Sequence, residues 1–202
     1  MKNKKTVIGF IGKARNGKDV SFGFMKDYLN SKGIEIEHES FAKLLKEQAR
    51  QICYFDDLKD EPGRRLLQDL SKPIKAYVNT LAAKYPDNEF YQDMANGAYY
   101  PAHTLKDIRT SDKSLFGITD FRFQSETSLF GSKDDINLIT IRIIRTNPDG
   151  SLYTGDLSPE ALADISENDL NDYETTYTIM NDGTLEDLRV KVEELTKEIF
   201  KL

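Results

Sequence analysis

The segment Gly12-Lys13-Ala14-Arg15-Asn16-Gly17-Lys18-Asp19 constrains this chain more than any other. It fits the spacing G-x-x-x-x-G-K, with Asp19 where Ser or Thr is usual. TVIGFIG before it is a short run of β-branched and aromatic residues that stops at a glycine, as a buried strand does. In VSFGFMKDYLNSKG after it, Val20, Phe24 and Tyr28 recur at helical spacing until Gly33 ends the segment. Strand, glycine loop and helix in that order point the loop's N–H groups into a concavity, and the helix N-terminus adds positive potential. Gly12, Lys13, Ala14, Arg15, Asn16, Gly17, Lys18 and Asp19 are therefore candidate ligands for the phosphates of ATP, with Lys18 reaching the β and γ positions. A hydroxyl at position 19 would ligate Mg²⁺ directly, whereas the Asp19 carboxylate is expected to hold the ion through water.

Composition narrows the alternatives. With 39% hydrophobic and 31% charged residues, the chain has enough apolar material for a core, and one domain over 1–202 is expected. No apolar run approaches the ~20 residues of a membrane span, and MKNKKTVIGFIG lacks a secretory cleavage region, so a cytoplasmic location without a membrane partner is expected. Cys53 is alone and forms no intrachain disulfide, and His38 and His103 cannot furnish a zinc site without several carboxylates. Between Thr146 and Asp187 stand eleven acidic residues and no Lys or Arg; setting those eleven charges aside takes the rest of the chain from −6 to +5. Anion chemistry is expected outside that stretch, or where a neighbouring loop reaches it. The acidic balance and the lack of a long basic stripe disfavour nucleic acid and suit a small phosphate-bearing ligand.

Further along, IEIEHES alternates Ile34, Ile36 and His38 with Glu35, Glu37 and Glu39, which predicts a strand with one wet face and His38 on the core side or at the strand end. Phe41 to Cys53 carries helical periodicity with Ser40 as N-cap, and a helical region then runs through PGRRLLQDL and, after Pro73, through IKAYVNTLAAKY. Leu115 to Asp120, Asn137 to Ile144 and Thr176 to Met180 read as strands. The closing helix places Leu185, Leu188, Val192, Leu195 and Ile199 on one face, opened by a capping box of Thr184 and Asp187. Strands alternating with helices predict an α/β fold around a mostly parallel central sheet. Residues 146–171 read as a mobile, lid-like excursion.

A second constellation, Asp120-Phe121-Arg122-Phe123-Gln124-Ser125-Glu126, follows the strand LFGIT. A carboxylate at the C-terminal end of a parallel strand faces the crevice where such sheets bind ligands, so Asp120 is a candidate for holding Mg²⁺-bound water or orienting an attacking oxygen. Arg122 suits bidentate contact with a phosphate, and the alternative for this pair is a structural ion pair. Of Arg142 and Arg145, at the mouth of the excursion, Arg145 is the better candidate to bring a cation to transferring phosphate on closure.

GKARNGKD, FAKLLKE at Phe41 to Glu47, RRLLQDL at Arg64 to Leu70, TDFRFQSE at Thr119 to Glu126, and ISENDL…DYETTYTIMNDGTLEDL together resemble the phage-type deoxynucleoside monophosphate kinases, in that family's order and over most of the chain. The resemblance implies a P-loop NTPase three-layer fold and transfer of the γ-phosphoryl group of ATP, with Mg²⁺, to a deoxynucleoside monophosphate in the host cytoplasm of a bacteriophage. It implies Lys18, Asp120, Arg122 and Arg145 as the catalytic set and Asp19 and Asp120 near the metal. It places Asn181, Asp182 and Gly183 at the donor adenine, and Phe41, Lys46, Arg65, Gln68, Arg122 and Glu126 in an acceptor site whose helical region spans about 41–105. Phe41 either borders a base or packs in the core, and Arg64 stands beside Arg65 as an alternative. Gln124 and Ile165 depart from the family's usual proline and histidine. A homodimer is compatible with the resemblance. Other readings are a P-loop kinase for a different small phosphate acceptor or for a modified base in DNA, and a nucleotide-binding protein without catalysis.

Overall fold

The computed structural model describes residues 4–58, 60–95, 97–155 and 157–202, apart from the side chains of Glu61 and Arg64. In chain order the elements are β1 (Lys5–Ile11), α1 (Lys18–Ser31), β2 (Glu37–Glu39), α2 (Ala42–Cys53), α3 (Glu61–Lys84), α4 (Glu89–Met94) and α5 (Tyr99–Thr110). There follow β3 (Leu115–Ile118), α6 (Gln124–Gly131), β4 (Ile136–Arg145), α7 (Pro159–Ala163), α8 (Ile165–Asn168), β5 (Tyr177–Asn181) and α9 (Leu185–Phe200). The chain divides into two compact units, one made of residues up to His38 with Asp112–Gln124 and Asp134–Leu202, the other of Glu39–Ser111 with Ser125–Lys133.

The sheet order is β2-β3-β1-β4-β5. β1 pairs in parallel with β3, Val7 opposite Phe116, and with β4, Ile11 opposite Arg142. β4 pairs in parallel with β5, Arg145 opposite Asn181. Parallel strands are covered on both faces and read as continuous apolar runs, and β1 is buried from Val7 through Ile11. Ile8, Phe10, Met25, Leu29, Ile141, Ile143, Ile179, Leu188 and Val192 form its main core cluster, with α1 and α9 packed together. Two glycines in the strands make room for rings: a Cβ on Gly117 would lie 2.2 Å from the Phe22 ring, and one on Gly9 would lie 2.8 Å from Phe121. The predicted capping box opens α9, the Thr184 hydroxyl accepting from Asp187 N at 3.2 Å while the Asp187 carboxylate accepts from Thr184 N at 2.7 Å.

The second unit is helical. Phe41, Val78, Met94, Tyr100, Leu105, Ile108, Leu129 and Phe130 are buried in it. Among the described residues, no helix is long and apolar enough to cross a membrane.

Several local expectations are sharpened or corrected. The helical region expected on both sides of Pro73 is one helix, unbroken from Glu61 to Lys84. Pro73 lies on an exposed stretch, so the carbonyl that loses its N–H partner, four residues back at exposed Asp69, is on the solvent side. IEIEHES makes only the three-residue β2, and Glu39 rather than His38 is buried. His38 is exposed, and its ring lies 4.8 Å, centroid to centroid, from Phe22. The N-cap position of α2 is Phe41 rather than Ser40. The excursion after β4 is built of a turn at Asn147–Ser151 followed by α7 and α8, and Leu170 at its end is buried.

Candidate phosphate-binding site

The loop between β1 and α1 sits where the backbone conformation demands glycine. Gly12 has φ +147° and Gly17 has φ +100°, and Arg15 between them is also left-handed at φ +63°. A Cβ on Gly12 would lie 2.4 Å from the Ile143 carbonyl oxygen, and one on Gly17 would lie 2.9 Å from Asn181 Nδ2. The loop is therefore pressed against the C-terminal ends of β4 and β5. Hydrogen bonds hold it there: Asn16 Nδ2 donates to Ile143 O at 3.2 Å, and Asn181 Nδ2 donates to Asn16 O at 3.0 Å.

Lys18 opens α1 and turns back over the loop, its ammonium donating to Gly12 O at 2.6 Å and Lys13 O at 2.9 Å. It is buried, 7% exposed. Burial, helped by the neighbouring Arg122, pulls its pKa from 10.5 down to about 8, against the opposing pull of Glu167, Asp19 and Asp120. These five charged groups thus share one electrostatic neighbourhood at the ends of β1 and β3. Arg122 Nη1 donates to Glu167 Oε1 at 2.6 Å, and the other oxygen of that carboxylate accepts from Ala14 N at 2.7 Å. A cavity of about 190 Å³ opens here, lined among others by Gly12, Lys13, Asn16, Arg122, Arg145 and Glu167.

The two arginines of β4 part company. Arg142 is bound inward, donating to Leu170 O at 2.8 Å and Tyr173 O at 2.6 Å, and so clasps the excursion to the sheet. Arg145 stacks on the Tyr153 ring at 4.0 Å and donates to Arg15 O at 3.4 Å, which brings its charge to the loop. Asn181 touches the loop directly, but the Asp182 carboxylate pairs with Lys191 of α9, and a Cβ on Gly183 would lie 2.5 Å from Asp187 Oδ2. Those two residues shape the turn into α9. Asp19 is exposed on the first turn of α1, and Asp120 is half-buried just past β3.

The second unit holds the remaining predicted residues. Phe41, 5% exposed, packs on Phe130 with ring centroids 5.7 Å apart, as a core residue does. Glu126 is buried, Lys46 half-buried, and Arg65 and Gln68 exposed on α3, where Arg65 lies 3.8 Å from Asp69. The Arg64 side chain lies outside the described residues. The residue that sequence reasoning passed over is Glu167. It sits in an acidic stretch with no periodicity to mark it, and its Ser-Glu setting in ISENDL was its only signal.

The sheet order and the glycine loop leading from its central strand into α1 are those of a P-loop NTPase α/β fold, as expected. No protein-family model matches the chain, and no curated protein does. Among solved structures it is similar to the Mycobacterium tuberculosis APS kinase CysC, at 9% identity over 96% of this chain and 99% of that one, with a TM-score of 0.42. It is also similar to a protein from Chloroflexus aurantiacus provisionally described as a kinase, at 14% identity over 100% of this chain and 99% of that one, with a TM-score of 0.49.

Proposed function

We propose that the protein transfers the γ-phosphoryl group of ATP to a deoxynucleoside 5′-monophosphate, giving the diphosphate and ADP. The observation that carries this reading is the buried Lys18 ammonium lying over a glycine loop at the C-terminal edge of a parallel sheet, with Arg122 beside it. In the transfer, an oxygen of the acceptor phosphate bonds to the γ-phosphorus, and the bond from that phosphorus to the β–γ bridging oxygen breaks, its electron pair leaving with ADP. The acceptor oxygen is already anionic at neutral pH, so no side chain has to remove a proton. Charge spreads over the transferring group, and catalysis consists of positioning and electrostatic stabilisation. Lys18 and Arg122 supply fixed positive charge, and Arg145, held by Tyr153 beside the loop, supplies a third cation.

The donor set suits Mg²⁺. Among the described residues no group of three or more His, Cys, Asp or Glu forms a metal cage, and Mg²⁺ beside phosphates needs only one or two carboxylates with water. Asp19 and Asp120 both raise the Lys18 pKa and are the residues that would hold the ion, which when bound offsets phosphate charge. On the second unit, the resemblance assigns Lys46, Arg65, Gln68 and Glu126 to the acceptor, Arg65 and Gln68 being exposed on α3.

The test measures ADP formation from ATP and Mg²⁺ with each of the four common deoxynucleoside monophosphates, beside Lys18→Ala. Acceptor-dependent turnover that the variant loses is the expected result. Binding of ATP with no turnover on any acceptor would refute the reading.

A further inference from the structure

The phosphate loop of this protein already binds an anion, and the anion is its own. One Glu167 oxygen takes the backbone N–H of Ala14, inside the glycine loop, at 2.7 Å; the other takes the Arg122 guanidinium at 2.6 Å. A loop amide and an arginine are the donor pair that a phosphoryl group recruits, through the same charge-assisted geometry. The Glu167 side chain is 10% exposed, so it is seated in the site rather than passing over it.

The backbone around Glu167 is fastened on both sides. Asp164 caps α8 by accepting from Ser166 N at 2.8 Å, and Asn168 Nδ2 donates to Leu162 O at 2.7 Å. Asp169 accepts from Gln124 N at 2.8 Å, while Arg142 holds Leu170 and Tyr173. The carboxylate is thus delivered to the loop by a built element anchored to Gln124 at the start of α6 and to Arg142 of β4.

We infer that Glu167 is a resident occupant of the phosphate site, standing in for a phosphoryl group until a polyphosphate binds and displaces it. The inference rests on the phosphate-loop reading above and adds a self-capping device to it. Because the anchors are contacts of the flanking residues Asp164, Asn168, Asp169, Leu170 and Tyr173, the exchange requires only that the Glu167 side chain leave. Its penalty falls on the phosphate end of the ligand, so it is the same for ATP and for a polyphosphate without a base. A carboxylate that merely oriented Arg122 for the ligand would have the opposite sign, since its loss would weaken binding.

The experiment is calorimetric titration of the full chain with inorganic tripolyphosphate and with ATP, each with Mg²⁺, for wild type, Glu167→Gln, Glu167→Ala and Asp172→Asn, after thermal melts confirm that each is folded. Asp172 is exposed in the same acidic stretch and serves as the charge control. Both Glu167 variants are expected to bind tripolyphosphate about tenfold tighter or more, ATP by the same factor, with Asp172→Asn within about twofold of wild type. Unchanged or weaker binding in both Glu167 variants overturns the inference, as does equal tightening in Asp172→Asn. Tripolyphosphate binding to none of the four proteins removes the phosphate site and the inference together. Tightened binding without acceptor-dependent turnover leaves the self-capping in place while the kinase reading falls.

Discussion

Adding one methyl group to Gly12 and the same methyl group to Gly23 should move stability in opposite directions. At Gly12 the new Cβ would lie 2.4 Å from the Ile143 carbonyl oxygen, on a backbone at φ +147°. That oxygen cannot retreat easily, because it belongs to β4 and also accepts from Asn16 Nδ2. Strain at such a backbone costs about 1–3 kcal/mol, and overpacking a tight contact costs about as much again. Gly12→Ala is therefore expected to lose about 2–6 kcal/mol. At roughly 2–4 °C per kcal/mol for a chain of this size, the melting temperature falls by about 4–24 °C. At Gly23, within α1, the methyl group meets nothing within 4 Å, and replacing a helical glycine by alanine gains about 0.5–1 kcal/mol. The assay is a thermal melt of the three proteins at equal concentration. Relief of the Gly12 clash by moving the loop also disturbs the Lys18 contact with Gly12 O, so ADP formation should fall about 10²-fold in Gly12→Ala. A Gly12→Ala protein that melts within about 2 °C of wild type would refute the close packing of the loop on β4.

Two further expectations concern charge. Folded Lys18 titrates at about 8 and an unfolded lysine at 10.5, so between these values the unfolded chain binds more protons and Lys18's share of stability rises with pH, by up to about 3 kcal/mol; urea titrations at pH 8 and 10 should show that slope vanish in Lys18→Met. ATP requires the ammonium form, so its affinity should fall as pH rises through 8, by up to about tenfold per unit; calorimetry showing a flat profile to pH 10 would contradict the Lys18 contact. Arg142→Met removes both donations to the excursion, each worth about 1.5–3 kcal/mol, and should speed amide exchange in residues 157–173 at least tenfold while leaving β1 protected.

The strands and the loop were legible because their signals are local. An apolar run ending in glycine, a lysine at fixed spacing and a capping box are each decided within a few residues, and β1, α1 and α9 emerged where their patterns placed them. α3 continues through Pro73 because the hydrogen bond lost there falls on an exposed stretch. The misreadings have tertiary causes. The alternation of IEIEHES was overridden by packing that buries Ile36 and Glu39 and lays His38 on Phe22. Arg142 and Arg145 are three residues apart on one strand, and only the carbonyls of Leu170 and Tyr173 distinguish a structural clasp from a loop cation. Glu167 was invisible for the same reason, since its role depends on two partners 45 and 153 residues away.

On the proposed kinase reading, the placement of acidic residues sets how tightly the site holds its ligands. Eleven acidic residues and no basic one lie between Thr146 and Asp187, and the structure brings two of them, Glu167 and Asp169, to Ala14, Arg122 and Gln124 around the phosphate loop. Negative charge at an anion site weakens every polyphosphate ligand, substrate and product alike. Such uniform weakening raises KM without removing stabilisation that exists only in the transition state. Lys13, Lys18, Arg122 and Arg145 without a counterweight would hold a diphosphate tightly, and product release limits many enzymes. In the proposed exchange Glu167 supplies that counterweight, returning to Ala14 N and Arg122 as a polyphosphate leaves.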